Sequence, residues 1–313
     1  MKIENYKLIS SLNDAPVMIT VGMFDGVHRG HRYFVREMTK EAKKRKLIPV
    51  IVTMYPHPKE ILSDKEFRYL TSLPEKKHYM KQLGIEHVLV LKTTKSLLNS
   101  AADEFINALQ SAGLNIKAIA MGYNNNFGKK LDEKVNFEAV VKRKGISLFT
   151  VPAFSETVNS TLVREKLLHG KVDDAAALLG HPYVLFGHVV EGNKIGRGMG
   201  YPTANIKVDS IEKMIPAVGV YAVKCHVNDA VYSGMMNIGY RPTVREKTRD
   251  LVLEVHVPGE KLDIYNHPVK IEFYKKIRDE RQFNGLDELK AQLDRDRDFI
   301  EGYFQKTKNH HEH

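Results

Sequence analysis

Pro16-Val17-Met18-Ile19-Thr20-Val21-Gly22-Met23-Phe24-Asp25-Gly26-Val27-His28-Arg29-Gly30-His31 sets an apolar run against a glycine-rich turn carrying two histidines three residues apart. The run reads as a buried strand. Three glycines in the following turn let the backbone come close to an anion, and a helix expected to start near His31 would aim its unpaired N–H groups and positive dipole end at the same point. The two imidazoles then serve as donors to phosphate oxygens. A bare His-x-x-His also fits a metal pair or two unrelated surface histidines. The preceding strand, the Gly/Asp turn and the following helix favour nucleotide phosphates beyond the carboxyl end of a parallel strand.

Outward from this stretch, apolar runs alternate with helix-period segments as far as residue 152. The strand-like runs are 16–21, 48–53, 87–91, 116–121 and 146–151; 32–46, 74–83 and 101–111 have helical spacing. Five strands separated largely by helices predict an α/β doubly wound parallel sheet. After residue 182 the grammar changes to short alternating runs broken by Gly and Pro, at 183–190, 219–227, 231–238, 251–257 and 269–274. That spacing predicts a small antiparallel β-barrel, and the amphipathic stretch 286–304 a C-terminal helix against one side of it. Residues 160–179 read as a helical junction. The expected division is 1–180 and 181–313.

Length and composition fit this plan. A chain of 313 residues accommodates about two domains, and 42% apolar with 27% charged residues is ordinary for a globular protein. No apolar run approaches the roughly 20 residues of a membrane span, and the first residues lack the apolar core of a signal peptide, so a cytoplasmic location and no membrane partner are expected. The single cysteine, Cys225, excludes an internal disulfide and a Cys-rich zinc site. A net charge of +10 raises nucleic acid as a partner. The basic residues are dispersed, however, and a surface that attracts anionic nucleotides accounts for them. The His-rich tail, 309–313, reads as a disordered end.

Gly22-x-Phe24-Asp25-Gly26-Val27-His28-x-Gly30-His31 resembles the His-x-Gly-His signature of the nucleotidyltransferase superfamily, in its FAD synthetase branch. In the second half, Gly196-Arg197-Gly198-Met199-Gly200-Tyr201-Pro202-Thr203-Ala204-Asn205 resembles the flavokinase signature, followed by Asn237-Ile238-Gly239-Tyr240-Arg241-Pro242-Thr243 and Leu253-Glu254-Val255-His256. The chain is therefore similar, over nearly its whole length, to the bifunctional bacterial riboflavin kinase/FMN adenylyltransferase family. The implied fold is a nucleotidyltransferase-like sheet followed by a flavokinase barrel.

The resemblance assigns roles. In the first half His28, His31 and Arg164 are implied in catalysis, and Gly22, Phe24, Asp25, Gly30, Ser160 and Thr161 in binding ATP phosphates. His57, between two prolines, and Asn124 and Asn125 in a turn after a strand are implied on the flavin side. In the second half Gly196, Arg197 and Gly200 form a nucleotide flap, Thr203 and Asn205 offer neutral oxygens to Mg²⁺, and Glu254 is the implied base, with Arg278 and Phe283 beside the flavin. The strand alternation is consistent with the last role, since Leu253 and Val255 take one face and Glu254 the other. Three departures stand out: Asn159 replaces a serine, Asn125-Asn126 replace an aromatic-containing pair, and Asn266 replaces a glycine.

The implied activities are ATP-dependent phosphorylation of riboflavin to FMN and adenylylation of FMN to FAD. ATP, riboflavin and FMN are then the small-molecule partners, and a homo-oligomer is compatible with the reading. Two alternatives stand beside it. One keeps the kinase and makes the adenylyltransferase impaired or redox-selective through Asn125-Asn126. The other is a non-catalytic flavin-sensing or nucleic-acid-binding regulator, against which the intact His28, His31, Arg164, Thr203, Asn205 and Glu254 argue.

Overall fold

A computed structural model describes residues 12–63, 66–122, 131–190, 201, 203–242, 249–258 and 266–309. Its contacts divide the chain into two compact units, 1–159 and 160–313. Helices α7 (Ser160–Leu168) and α8 (Val172–Leu179) thus fall with the second unit, whereas the sequence division at residue 180 puts them with the first.

In the first unit five parallel strands lie in the order β3-β2-β1-β4-β5: β1 (Pro16–Val21), β2 (Ile48–Tyr55), β3 (His87–Lys92), β4 (Asn115–Gly122) and β5 (Ser147–Val151). Alternation along β1 sorts its side chains. Val17, Ile19 and Val21 join Val50 and Val52 of β2 in an apolar cluster with Phe105, Ile106 and Leu109 of α5 (Ala102–Ser111) and Phe137, Val140 and Val141 of α6 (Leu131–Arg143). Helix α1 (Arg29–Lys44) buries Val35, Met38 and Ala42 and packs against β2 and β5. Helix α3 (Leu73–Gln82) opens with a capping box in which Ser72 and Glu75 satisfy each other's backbone N–H groups. Among the described residues there are two further short helices, α2 (Pro58–Ser63) and α4 (Lys95–Leu98); with α6 they are the described helices of this unit that the spacing did not predict. The order of the sheet reverses between β1 and β4, so its crevice opens beyond the carboxyl end of β1, where the His28/His31 turn begins.

In the second unit six strands close into an antiparallel barrel in the order β10-β7-β6-β11-β8-β9. They are β6 (Tyr183–Val190), β7 (Thr203–Val208), β8 (Gly219–Val227), β9 (Ala230–Pro242), β10 (Arg249–His256) and β11 (Pro268–Arg278). Tyr183, Tyr221 and Phe273 are fully buried, with Phe273 5.5 Å from Tyr221 and 6.3 Å from Tyr183 between ring centroids. Helix α8 packs against β6 and β11 and ends at Gly180, whose φ of 76° makes the left-handed cap that glycine tolerates best. Helix α9 (Leu286–Asn309) lays Ile300 and Phe304 on Val220, Ala222 and Met235. Those three alternate with the enclosed Tyr221 and Met236, so α9 covers part of the barrel's outer face.

Candidate active sites

Helix α1 starts at Arg29, close to the expected start near His31, with His28 itself as its N-cap. The cap is the imidazole: Nδ1 of His28 accepts the His31 backbone N–H at 3.3 Å. An acceptor at Nδ1 places the proton of the neutral ring on Nε2, which is then the donor left for a ligand. The rings of His28 and His31 stack with centroids 3.6 Å apart and planes 16° off parallel. Burial pulls the His28 pKa down to about 4, only partly opposed by the Asp25 carboxylate. His31 is held well below its ordinary value by burial, then by the charges of His28 and Lys76. Both rings are neutral donors at physiological pH. Nδ1 of His31 is buried with no hydrogen-bond partner among the described residues. Such an atom at a helix N-terminus suits a ligand oxygen.

The turn itself is strained. Phe24, Gly26 and Val27 have φ of 48°, 85° and 42°. For Phe and a β-branched Val such values cost of order 1–3 kcal/mol each and persist only when neighbours hold them. The holding groups are evident. Asp25, 3% exposed, accepts the backbone N–H groups of Leu70 and Thr71 at 3.0 and 3.1 Å, and Gly26 N–H donates to the Thr71 hydroxyl at 3.0 Å. Lys76 of α3 donates from Nζ to the Met23 carbonyl at 2.7 Å and to Thr53 Oγ1 at 3.2 Å.

Two residues expected at the phosphates also take part in holding the turn. Asp25 turns its carboxylate inward to the 70–71 backbone, and a carboxylate repels phosphate. Phe24, 5% exposed, packs on His31 and Phe34. Both side chains help to hold the turn. Gly22 and Gly30 serve close approach: a Cβ at Gly22 would stand 2.9 Å from the Phe24 ring, and one at Gly30 3.3 Å from the His28 ring.

Other residues of this unit are placed as follows. His57 stacks on Phe67 at 4.0 Å, and its Nδ1 accepts the Lys59 N–H at 3.1 Å, which fixes the ring. Arg29 makes a bidentate pair with Glu156, 2.6 and 2.7 Å, and lies 5.7 Å from the Phe154 ring, tying the segment after β5 to the first turn of α1. Asn124 and Asn125 lie outside the described residues. Ser160, Thr161 and Arg164 begin α7 in the second unit, where Arg164 donates from Nη1 to the Ser160 carbonyl at 3.2 Å.

On the barrel, register assembles the second site. Glu254 of β10 stands opposite Asn205 of β7 on one side and Asn237 of β9 on the other, and His256 stands opposite Thr203. Residues directly opposite share a face, so Thr203, Asn205, Asn237 and Glu254 lie together on the outer face, the one that α9 partly covers. Glu254 is half-buried, Asn205 buried and Thr203 exposed. The donor set of a hydroxyl and an amide oxygen with a carboxylate across the strand fits Mg²⁺, which takes few protein oxygens alongside substrate phosphates.

Arg278, at the end of β11, is oriented by the buried Asp296 of α9, Nε to Oδ2 2.9 Å, and lies 5.7 Å from the Phe283 ring. Arg281 flanks the same ring at 4.8 Å. The Glu280 carboxylate lies over Gly239, where any Cβ would collide with it. Gly196, Arg197 and Gly200 lie outside the described residues. Sequence reasoning passed over Lys76, which looks like one of many dispersed lysines, and Asn237, whose motif was visible but whose partner across the strand was not.

A family model described as FAD synthetase matches residues 10–163, and one described as riboflavin kinase matches 179–304. The bifunctional riboflavin kinase/FMN adenylyltransferase of Bacillus subtilis is 35% identical, with 93% of each chain covered. That of Escherichia coli K12 is 34% identical, covering 96% of this chain and 97% of the relative. A crystal structure described as a macrolide-efflux protein from Streptococcus pneumoniae has a TM-score of 0.82 at 29% identity, covering 92% of this chain and 94% of that one. No helix among the described residues is long and apolar enough to cross a membrane. With both matched segments and near-full-length relatives in agreement, the chain belongs to the bifunctional riboflavin kinase/FMN adenylyltransferase family.

Proposed function

We infer that the chain phosphorylates riboflavin to FMN at the barrel and adenylylates FMN to FAD at the parallel sheet, with ATP as donor in both reactions. The observation that carries this reading is that each unit presents its own group of residues suited to handling phosphates: a neutral histidine pair at the sheet's crevice, and Glu254 between Asn205 and Asn237 on the barrel. The kinase-only and regulator readings are not favoured, since both groups are intact and the near-full-length relatives are bifunctional enzymes.

For adenylyl transfer, an FMN phosphate oxygen attacks the α-phosphorus of ATP and pyrophosphate leaves. The attacking phosphate is already ionised, so no base is needed and the protein's work is positioning and charge stabilisation. His28 offers Nε2–H and His31 its unpartnered ring nitrogen; Ser160, Thr161 and Arg164 are implied in phosphate binding by the family resemblance alone. For phosphorylation, Glu254 takes the proton of the ribityl 5′-hydroxyl as that oxygen attacks the γ-phosphorus and ADP leaves. Mg²⁺ bound at Thr203 and Asn205 would neutralise charge on the ATP phosphates. Arg278 and Phe283 are assigned to the flavin side of this site, and His57, Asn124 and Asn125 to that of the first. A cytoplasmic location accords with these soluble substrates.

The test is product analysis over time with riboflavin and ATP. Sequential appearance of FMN and FAD is expected, with ADP and pyrophosphate as co-products. Accumulation of FMN without FAD would leave only the kinase, and no flavin conversion would reject the reading.

A further inference from the structure

We propose that Lys76 is a positioning residue for adenylyl transfer, its ammonium inserted beneath the phosphate turn to hold the His28/His31 pair in place. The geometry is a closed triangle at the ends of two strands. Lys76 Nζ donates to the Met23 carbonyl at 2.7 Å and to Thr53 Oγ1 at 3.2 Å, and Thr53 Oγ1 itself donates to Met23 O at 3.3 Å. Met23 immediately precedes the left-handed residues of the turn, so these bonds fix the turn where β1 releases it. Lys76 is only 5% exposed.

A buried ammonium is expensive to keep in the fold unless it is hydrogen-bonded and near opposite charge. Its position is itself determined. The Ser72/Glu75 capping box sets the start of α3, and Asp25 clamps residues 70–71 just before it. The segment 70–76 therefore grips the turn twice, once through the Asp25 carboxylate and once through Lys76. The first grip takes an acidic group away from the anion site, and the second puts a positive charge under it.

Among the described residues, Asp25 and His31 interact electrostatically with this ammonium. Asp25 from the turn favours its charged form, and His31 from α1 is in turn held neutral partly by it. Burial lowers the Lys76 pKa to about 8, so it loses its charge in a range where enzymes are readily assayed.

The inference rests on the assignment of adenylyl transfer to this unit. The experiment measures kcat and KM for FMN-to-FAD conversion against pH, in the unsubstituted chain, Lys76→Met and Lys76→Arg, with riboflavin phosphorylation followed in the same preparations. Lys76→Met is expected to lower kcat for FAD formation by about 10²-fold, the scale of a misplaced reacting geometry, with FMN formation intact. Lys76→Arg, which keeps the charge at all accessible pH, is expected to retain activity and to lose the alkaline decline expected near pH 8 in the unsubstituted chain.

An unchanged kcat in Lys76→Met overturns the proposal. So does an alkaline limb that stays in place in Lys76→Arg, including when Lys76→Met loses both activities through misfolding. If the unsubstituted chain makes no FAD from FMN, the functional assignment fails first; if it does and Lys76 has no effect, the inference alone fails.

Discussion

The two candidate sites are built in opposite ways. At the sheet, the candidate anion site sets two imidazoles on a strained turn and a helix start, held from beneath by Asp25 and Lys76. At the barrel, the site is made of strand register, which sets Glu254, Asn205 and Asn237 side by side with no unusual backbone. The first depends on braces that touch no substrate. The second depends on the face each side chain takes, and strand alternation already guarantees that. Damage to the first site should therefore spread from residues behind it, whereas damage to the strand-borne residues of the second should stay with those residues, Arg278 with its brace Asp296 being the exception.

The largest expected effect is at the barrel. Glu254→Gln keeps the shape and removes the base, and should lower FMN formation by on the order of 10²–10⁴ while leaving conversion of added FMN to FAD unchanged. Initial rates of the two half-reactions check this, and a kinase rate equal to the parent's would make Glu254 structural. Next, His28→Ala or His31→Ala should reduce FAD formation by about 10²–10³, the usual loss for one transition-state donor, with FMN formation intact. Unchanged adenylyl transfer in both variants would remove the histidine pair from the site.

Asp25→Asn sharpens the comparison because it alters a brace and not a ligand. One half of its acceptor pair becomes an amide facing backbone donors, which should cost about 1–3 kcal/mol of stability in the first unit and reduce FAD formation. FMN formation is expected to persist. A denaturation curve followed alongside both activities would show whether the loss stays in one unit.

The acid limb discriminates more gently. Unfolded histidine takes up its proton near pH 6.5, whereas folded His28 does so only near 4, so the unfolded state binds more protons between those values. Stability contributed by the neutral pair is present above about pH 6.5 and is lost as pH falls toward about 4. Adenylyl transfer should fall in this window before phosphorylation does. Thermal melts of the unsubstituted chain and His28→Gln across the window check it, the variant being expected to show a weaker acid dependence.

Much of this was legible in the sequence, and unevenly. β1 and β6 run over the predicted residues, because each is an apolar run followed in the sequence by a glycine or a charged residue. The barrel's β7 was anticipated only through Thr203 and Asn205, its six residues being too short and mixed to stand out as a periodic run. Phe24 and Asp25 were visible as motif residues, yet their roles were not. Whether a motif side chain faces a ligand or the loop's own backbone depends on what lies across the turn, and here that is residues 70–71, some 45 positions away. Lys76 carried no local signal, since a lysine in the first turns of a helix normally points to solvent. Asn237 needed the β9–β10 register, which alternation on a single strand does not supply.

The separability of the two sites is the central claim, and mixing two variants tests it most directly. His28→Ala alone should convert riboflavin to FMN and stop, and Glu254→Gln alone should leave riboflavin untouched but adenylylate added FMN. Combined in one vessel with riboflavin and ATP, the two should restore FAD formation, FMN passing from one protein to the other through solution. Loss of both activities in either single variant while it remains folded, or no FAD from the mixture although each variant retains its remaining activity, would contradict the account.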